Sequence, residues 1–290
     1  MTVSRKAMKL RQKYMTMRGR LEARFSSDEA LAMVRVILGH LLDYTPVDIV
    51  LNPDRELTSF TEAKADSIVE RLLAGEPLQY IIGEARFHGH AFRVTPEVLI
   101  PRPETEELVD IVVDEWAARS DLRVLDVATG SGCIAISLAR ALRFASIDAF
   151  DASATAIEVA KANAAALKVK VNFFVGDILA LPADGDGRKY DIVVSNPPYV
   201  LDSERESMSA TVVDYEPSAA LFVPDADPLR FYSPTIRYAA AVLNRCGALY
   251  FEINPLTADR LPREVEACGF SDVRLESDMS RHRRFLIARK

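Results

Sequence analysis

The sequence predicts an α/β protein, with a wound, mostly parallel sheet over the C-terminal two-thirds and a helical domain before it. Three observations carry this expectation. From about residue 100 onward, β-branched and apolar runs alternate with segments of helical period. A glycine turn, Thr129-Gly130-Ser131-Gly132, sits between one such run and a helical segment. The first 75 or so residues carry helical patterns alone. At 290 residues the chain suits one large or two unequal domains, and 49% hydrophobic residues suffice for a sizeable core.

Taken in order, Leu10, Tyr14, Met17, Leu21 and Phe25 recur at helical spacing. Arg5, Lys6, Lys9, Arg11, Lys13, Arg18 and Arg20 all precede the first acidic residue, Glu22. This stretch reads as an amphipathic helix packed on its own domain. An organellar presequence and a basic surface for an RNA-like or acidic partner are the alternatives. It lacks the apolar centre of a secretory signal. Ser59-Phe60-Thr61-Glu62 has the spacing of a capping box, and Leu57, Ile68, Val69, Leu72 and Leu73 with the closing Gly75 and Pro77 outline a helix. Phe87 to Val94 alternates around a central glycine, which predicts a hairpin. His88 and His90 would then share a strand face, solvated rather than metal-bound. The expected alternation that follows is helix 106–118, strand 123–127, helix 131–142, strand 146–150, helix 154–166 and strands 171–175 and 191–194. A helix, strand, helix, strand series ends the chain, with late strands over 248–253, 273–275 and 284–288. Ala183-Asp184-Gly185-Asp186-Gly187 reads as a polar surface turn.

Composition excludes several classes. No apolar run reaches the ~18 residues of a membrane-spanning helix. A net charge of −6 argues against general electrostatic capture of nucleic acid. Three scattered cysteines, Cys133, Cys246 and Cys268, form no disulfide framework, so a reducing, cytoplasmic compartment is expected. The four histidines make no metal set.

The chemistry-bearing residues cluster at predicted strand ends. Asn196-Pro197-Pro198-Tyr199 follows the apolar run Ile192-Val193-Val194-Ser195. Each residue before a proline is pushed into an extended shape, and neither proline has an N–H to spend on a helix. The Asn196 amide oxygen and the Pro197 carbonyl can then accept both hydrogens of a planar NH2 group, with the Tyr199 ring stacking on its plane. Upstream, Val124-Leu125-Asp126-Val127-Ala128 leads into the glycine turn. Gly130 and Gly132 permit a tight turn and close ligand approach. The turn is neither a dinucleotide signature nor a phosphate loop, since no third glycine and no Gly-Lys-Ser/Thr follows. Asp151, ~20 residues on, suits a grip on ribose hydroxyls. Asp177 and Ile178 after the next strand suit an adenine amino group and an adenine face, unless Asp177 is merely a turn residue. A shortened glycine turn, a ribose carboxylate and an NH2 receptor together point to S-adenosylmethionine.

With these motifs, Pro77-Leu78-Gln79-Tyr80-Ile81-Ile82-Gly83, Phe87-His88-Gly89-His90-Ala91-Phe92-Arg93-Val94 and Leu99-Ile100-Pro101-Arg102-Pro103-Glu104-Thr105-Glu106-Glu107-Leu108-Val109, the chain resembles the PrmC/HemK family. These are protein-(glutamine-N5) methyltransferases that modify peptide chain release factors. The resemblance implies a Rossmann-like class I methyltransferase domain over 99–290. It implies a helical substrate-recognition domain over 1–85 and a β-hairpin linker over 86–98. It implies S-adenosylmethionine as cofactor and the glutamine of a release factor Gly-Gly-Gln loop as substrate, with no membrane and no sequence-specific nucleic acid as partner. Asp126, Ala128, Thr129, Gly130, Ser131, Gly132, Asp151, Asp177, Ile178 and Asn196 would hold the cofactor, with Arg102 and Thr105 closing over it. Asn196, Pro197, Pro198 and Tyr199 would carry the chemistry. An antiparallel final strand pair is implied as well.

Some positions depart from the family. Ala128 replaces a customary glycine, which is tolerable at negative φ. Pro224-Asp225-Ala226-Asp227-Pro228-Leu229 and Glu252-Ile253-Asn254-Pro255 depart from the usual segments. Adenine-N6 methylation of nucleic acid, methylation of a ribosomal-protein glutamine, and cofactor binding without turnover are the competing readings. The acidic charge, Pro103-Glu104-Thr105 and the intact Asn196–Tyr199 argue against them in turn.

Overall fold

The computed structural model describes residues 8–185 and 187–290. Arg5, Lys6 and Asp186, named above, lie outside the described residues. The chain divides into two compact units, one running through Gly83 and taking in residues 210–215, the other holding the rest.

The first unit is helical: α1 (Leu10–Leu21), α2 (Ser27–Leu42), α3 (Pro46–Leu51), α4 (Ser59–Ala74) and α5 (Leu78–Ile82). Leu10, Met17 and Leu21 of α1 are buried against Val34, Ile37, Val69 and Leu72, so the basic helix packs on its own unit. The cap of α4 lies one residue earlier than its sequence spacing implied. Thr58 is the N-cap, its hydroxyl accepting from Thr61 N–H at 3.1 Å. Ser59 is already helical, and Glu62 instead accepts from the Met8 N–H at 2.9 Å. Gly75, at φ 106°, closes the helix in the left-handed region, as a glycine does most cheaply.

The second unit opens on a hairpin, β1 (Glu84–Phe87) and β2 (His90–Arg93). His88 and Gly89 both have positive φ, the signature of a two-residue primed turn. His88 therefore occupies the turn and shares no strand face with His90. It pairs instead with Asp110 at 3.0 Å, while His90 accepts from Arg140 at 2.9 Å. Phe87 and Phe92 of the hairpin are buried in the second unit's own core.

There follow α6 (Pro103–Trp116), β3 (Arg123–Val127), α7 (Cys133–Ala141), β4 (Ser146–Asp151), α8 (Ala154–Ala166), β5 (Asn172–Val175) and β6 (Tyr190–Ser195). Two short strands, β7 (Val200–Leu201) and β8 (Phe222–Val223), flank the helix α9 (Ala210–Tyr215) of the first unit. The chain ends with α10 (Tyr232–Val242), β9 (Leu243–Glu252), α11 (Leu261–Ala267), β10 (Ser271–Ser277) and β11 (Arg283–Arg289).

Seven strands form one sheet in the order β10-β11-β9-β6-β3-β4-β5. The five from β9 to β5 are parallel, and β11 is antiparallel to both of its neighbours. Strand alternation sends Val124, Ile192, Ala248 and Tyr250 to one face, against α6 and α7. Leu125, Val127, Val193, Leu249 and Phe251 go to the other, against α10 and α11. The ends of β3, β4 and β6 thus converge at one edge of the sheet, where ligands of such sheets bind. Among the described residues no helix is long and apolar enough to cross a membrane.

Candidate active site

The glycine turn is built around Asp126, which is fully buried near the end of β3. Its Oδ2 accepts from the Thr129 hydroxyl at 2.6 Å and from the Ala135 N–H at 3.2 Å, tying the turn to the first turn of α7. Its Oδ1 meets no partner among the described residues. Burial pushes this carboxyl up to about 7, against the pull of those two bonds and with the help of nearby Asp151. Ala128 has φ +60°, so the negative φ that would have suited an alanine is not what the turn adopts. The left-handed conformation brings the alanine Cβ close to the carbonyl that follows.

Gly130 and Gly132 serve different ends. A Cβ on Gly130 would meet nothing within 4 Å, which leaves open space over the turn. A Cβ on Gly132 would stand 3.0 Å from the Ala160 Cβ and 3.1 Å from the Ile136 Cδ1, so this glycine lets α7 and α8 close up. The Gly130 N–H donates to Asp151 Oδ2 and the Ser153 N–H to Oδ1, both at 2.9 Å. The carboxylate at the end of β4 is thereby fixed, although burial raises its pKa.

A cavity of about 510 Å³ opens at this edge of the sheet. Its walls include Arg102, Thr105, Ala128, Thr129, Gly130, Ser131, Asp151, Asp177, Ile178, Asn196 and Pro198. Asp126, Gly132, Pro197 and Tyr199 do not line it. Asp177 also makes the turn contact expected of the plainer reading, its Oδ1 accepting from the Leu179 N–H at 2.9 Å. Val98, Leu99, Ile134, Phe150 and Phe231 supply apolar wall, although none of them was expected to hold the cofactor. Cys133 lines the cavity too, and burial pushes its thiol up to about 12, which keeps it protonated and inert.

Asn196 is held on both hydrogens of its amide. Its amide NH2 donates to Thr105 Oγ1 at 3.0 Å and to Glu252 Oε2 at 2.9 Å. Thr105 spends its own hydroxyl hydrogen on the same Glu252 oxygen, at 2.7 Å, so toward Asn196 it is an acceptor. Glu252 Oε1 accepts from the Tyr199 hydroxyl at 2.8 Å. Tyr199 thus packs into the core beside α10 and holds Glu252, in place of the stacking role its position after the prolines implied. Glu252 is buried, and burial raises its pKa against the bonds from Thr105 and Tyr199. The register of β6 with β9 pairs Ser195 with Phe251, which sets Asn196 and Glu252 side by side one residue later. The sequence offered no local signal for this, because residues 196 and 252 are joined only across the sheet.

Arg102, the N-cap residue of α6, pairs with Glu216, whose side chain is buried. Glu216 also accepts from the Ile100 N–H at 3.2 Å, so one carboxylate anchors the segment from Val98 to Arg102 along the cavity. Arg102 is therefore more than a surface charge, and Glu216 is a site residue that no spacing pattern revealed.

Residues 106–214 match the Methyltransferase small domain and residues 16–83 the PrmC N-terminal domain. The release factor glutamine methyltransferase of Bacteroides thetaiotaomicron is 43% identical over 92% of this chain and 95% of its own length. The chain belongs to the release factor glutamine methyltransferase family. The enzyme of that name from Flavobacterium psychrophilum is 38% identical over 88% of this chain and 90% of its own. Among solved structures, the 16S rRNA N2 G1207 methyltransferase of T. thermophilus, in complex with AdoMet and guanosine, shares the fold. It has a TM-score of 0.52 and 19% identity over 71% of this chain and 49% of that one.

The cofactor of such an enzyme is S-adenosylmethionine, and the residues present fit it. The cavity falls in the size range of small-molecule cofactor sites. The space over Gly130 is free for a ligand that approaches the backbone. Asp151 presents a carboxylate already oriented by two N–H groups, and Phe150 and Ile178 offer flat apolar surface beside it.

Proposed function

We propose that this chain methylates the side-chain amide nitrogen of the glutamine in the Gly-Gly-Gln loop of a peptide chain release factor. The observation that carries this reading is the orientation of Asn196. Both of its N–H bonds are spent on Thr105 and Glu252, so the atom left for a ligand in the cavity is the amide oxygen, an acceptor. An acceptor suits a substrate that brings N–H bonds. A glutamine carboxamide is small and flat, and on a flexible loop it enters a narrow cavity, whereas a flipped adenine needs a wider one and a basic groove.

When bound, S-adenosylmethionine supplies a sulfonium methyl. Residues of the chain do the remaining work. Asp151 is placed to hold the ribose, Ile178 and Phe150 to cover the adenine, and the Thr129–Ser131 turn to receive the amino-acid end. Asn196 Oδ1 accepts one N–H of the substrate amide; Pro197, whose carbonyl was expected to take the other, does not line the cavity. An amide nitrogen is a poor nucleophile because its lone pair is delocalised. Holding an N–H bond helps to aim that lone pair and favours the positive charge that develops on nitrogen. Orientation of this kind is worth roughly 7–11 kcal/mol when ideal. The surplus proton leaves once nitrogen carries the methyl, so no strong base is required.

The helical first unit is proposed to recognise the rest of the release factor. Val47, Val50 and Leu51 of α3 and Phe60 of α4 are each at least 63% exposed there, apolar surface of the kind that meets a protein partner. The test is incubation of the purified chain with labelled cofactor and a release factor. Label should appear on the intact factor and vanish when the Gly-Gly-Gln glutamine is replaced. Label that survives the replacement rules the assignment out.

A further inference from the structure

We infer that Glu252 is the residue that makes this site select an amide over a carboxylate, by fixing which end of the Asn196 side chain faces the cavity. The inference rests on the glutamine reading above and adds a positioning residue to it. Six buried or half-buried groups around Glu252 set this orientation. Asp278 is buried and pairs with Arg284 at 3.2 Å. A guanidinium only donates, and the charge of Arg284 acts on the nearby Tyr199 hydroxyl. The Tyr199 hydroxyl sends its hydrogen to Glu252 Oε1 at 2.8 Å. Glu252 as a carboxylate accepts at both oxygens, so Oε2 receives from Thr105 and from Asn196. The Asn196 NH2 is drawn inward and its oxygen is left for the cavity. Without a pure acceptor at that point, the two ends of an asparagine amide are nearly equal in shape and either could face the substrate.

The isosteric variant Glu252→Gln makes this testable, because it changes polarity and hardly changes volume. The Tyr199 hydroxyl still needs an acceptor, so the glutamine oxygen takes the Oε1 position. The glutamine NH2 then faces Thr105 and Asn196, and Asn196 turns its own oxygen toward that NH2. An NH2 group now faces the cavity. Such a site accepts a carboxylate and repels an amide N–H.

The experiment uses the full chain with an intact release factor and with the same factor carrying Gly-Gly-Glu. For the wild type, the glutamine form is methylated and the glutamate form is a weak competitor. For Glu252→Gln, kcat/KM on the glutamine form should fall on the order of 100-fold, since a site built for one hydrogen-bond polarity discriminates strongly against the other. The glutamate form should become a better inhibitor by about tenfold, the equivalent of one reversed hydrogen bond. Affinity for S-adenosylmethionine, measured by calorimetry on the same preparations, should stay within about twofold, because Glu252 stands outside the cavity wall. Unchanged turnover on the glutamine form overturns the inference. So does a loss of turnover with no gain in binding of the glutamate form, which is what a packing role alone would give. Loss of cofactor affinity along with turnover overturns it as well, since Glu252 would then support the whole cavity. A wild type that leaves the glutamine unmethylated sinks the functional reading instead.

Discussion

At Ala128 the turn places an L-residue at φ +60°. Replacement by glycine removes a clash that costs roughly 1–2 kcal/mol in the left-handed region, less the extra entropy a glycine loses on folding. Ala128→Gly should therefore raise the free energy of unfolding by about 0.5–1 kcal/mol, read from urea titration. A destabilised variant would mean that the methyl packs usefully. Asp126 gives a pH dependence. Its folded value of about 7 lies above the ordinary 3.8, so the folded chain holds this proton more tightly than the unfolded one. Its stabilising share is complete below the unfolded value and is lost as pH rises toward about 7. The slope reaches about 1.4 kcal/mol per pH unit at most. Asp126→Asn can still accept from Thr129 and Ala135 but does not titrate. It should flatten the fall in stability between about pH 4 and about pH 7, and an unchanged slope would assign that fall to other groups.

Two elements separate fold from ligand binding. The cap of α4 rests on Thr58, so Thr58→Ala should cost about 1 kcal/mol while Ser59→Ala costs almost nothing. Equal losses from the two would place the cap elsewhere. At the start of α7 the two glycines should part company. Gly132→Ala forces a Cβ against Ala160 and Ile136 and should lower stability by about 2 kcal/mol or more. Gly130→Ala meets only open space and should fold with a smaller loss, yet weaken S-adenosylmethionine binding by about tenfold or more, as calorimetry would read. The helices and parallel strands of this region were legible from period and punctuation. Helix α8 follows its alanine-rich run and β3 its β-branched run, and both match expectation residue for residue. Strand β9 starts five residues earlier than its apolar pattern, because Leu243 already pairs with Tyr190 of β6 and a register shift separates that pair from Ile192 and Ala248.

For the molecule as a whole, the sheet order and the net charge of −6 make separate statements. The charge predicts that the chain retains no measurable affinity for duplex DNA at about 0.15 M salt, where capture depends on neutralised phosphates; tight, salt-sensitive binding in a gel-shift assay would contradict it. What the sequence determined by itself was local and periodic. It set the alternation of strand and helix, the glycine turn, the extended Asn196–Tyr199 segment and the residues at strand ends, because φ restrictions and apolar spacing act within a few neighbours. What only the tertiary structure decided was direction and partnership. Glu252 and Glu216 became site residues through contacts across more than fifty positions of chain, Tyr199 turned to the core, and Asn196 received its orientation. Hydrogen bonds of that kind have no signature in a one-dimensional pattern, since a buried carboxylate takes whichever donors the packed sheet brings to it.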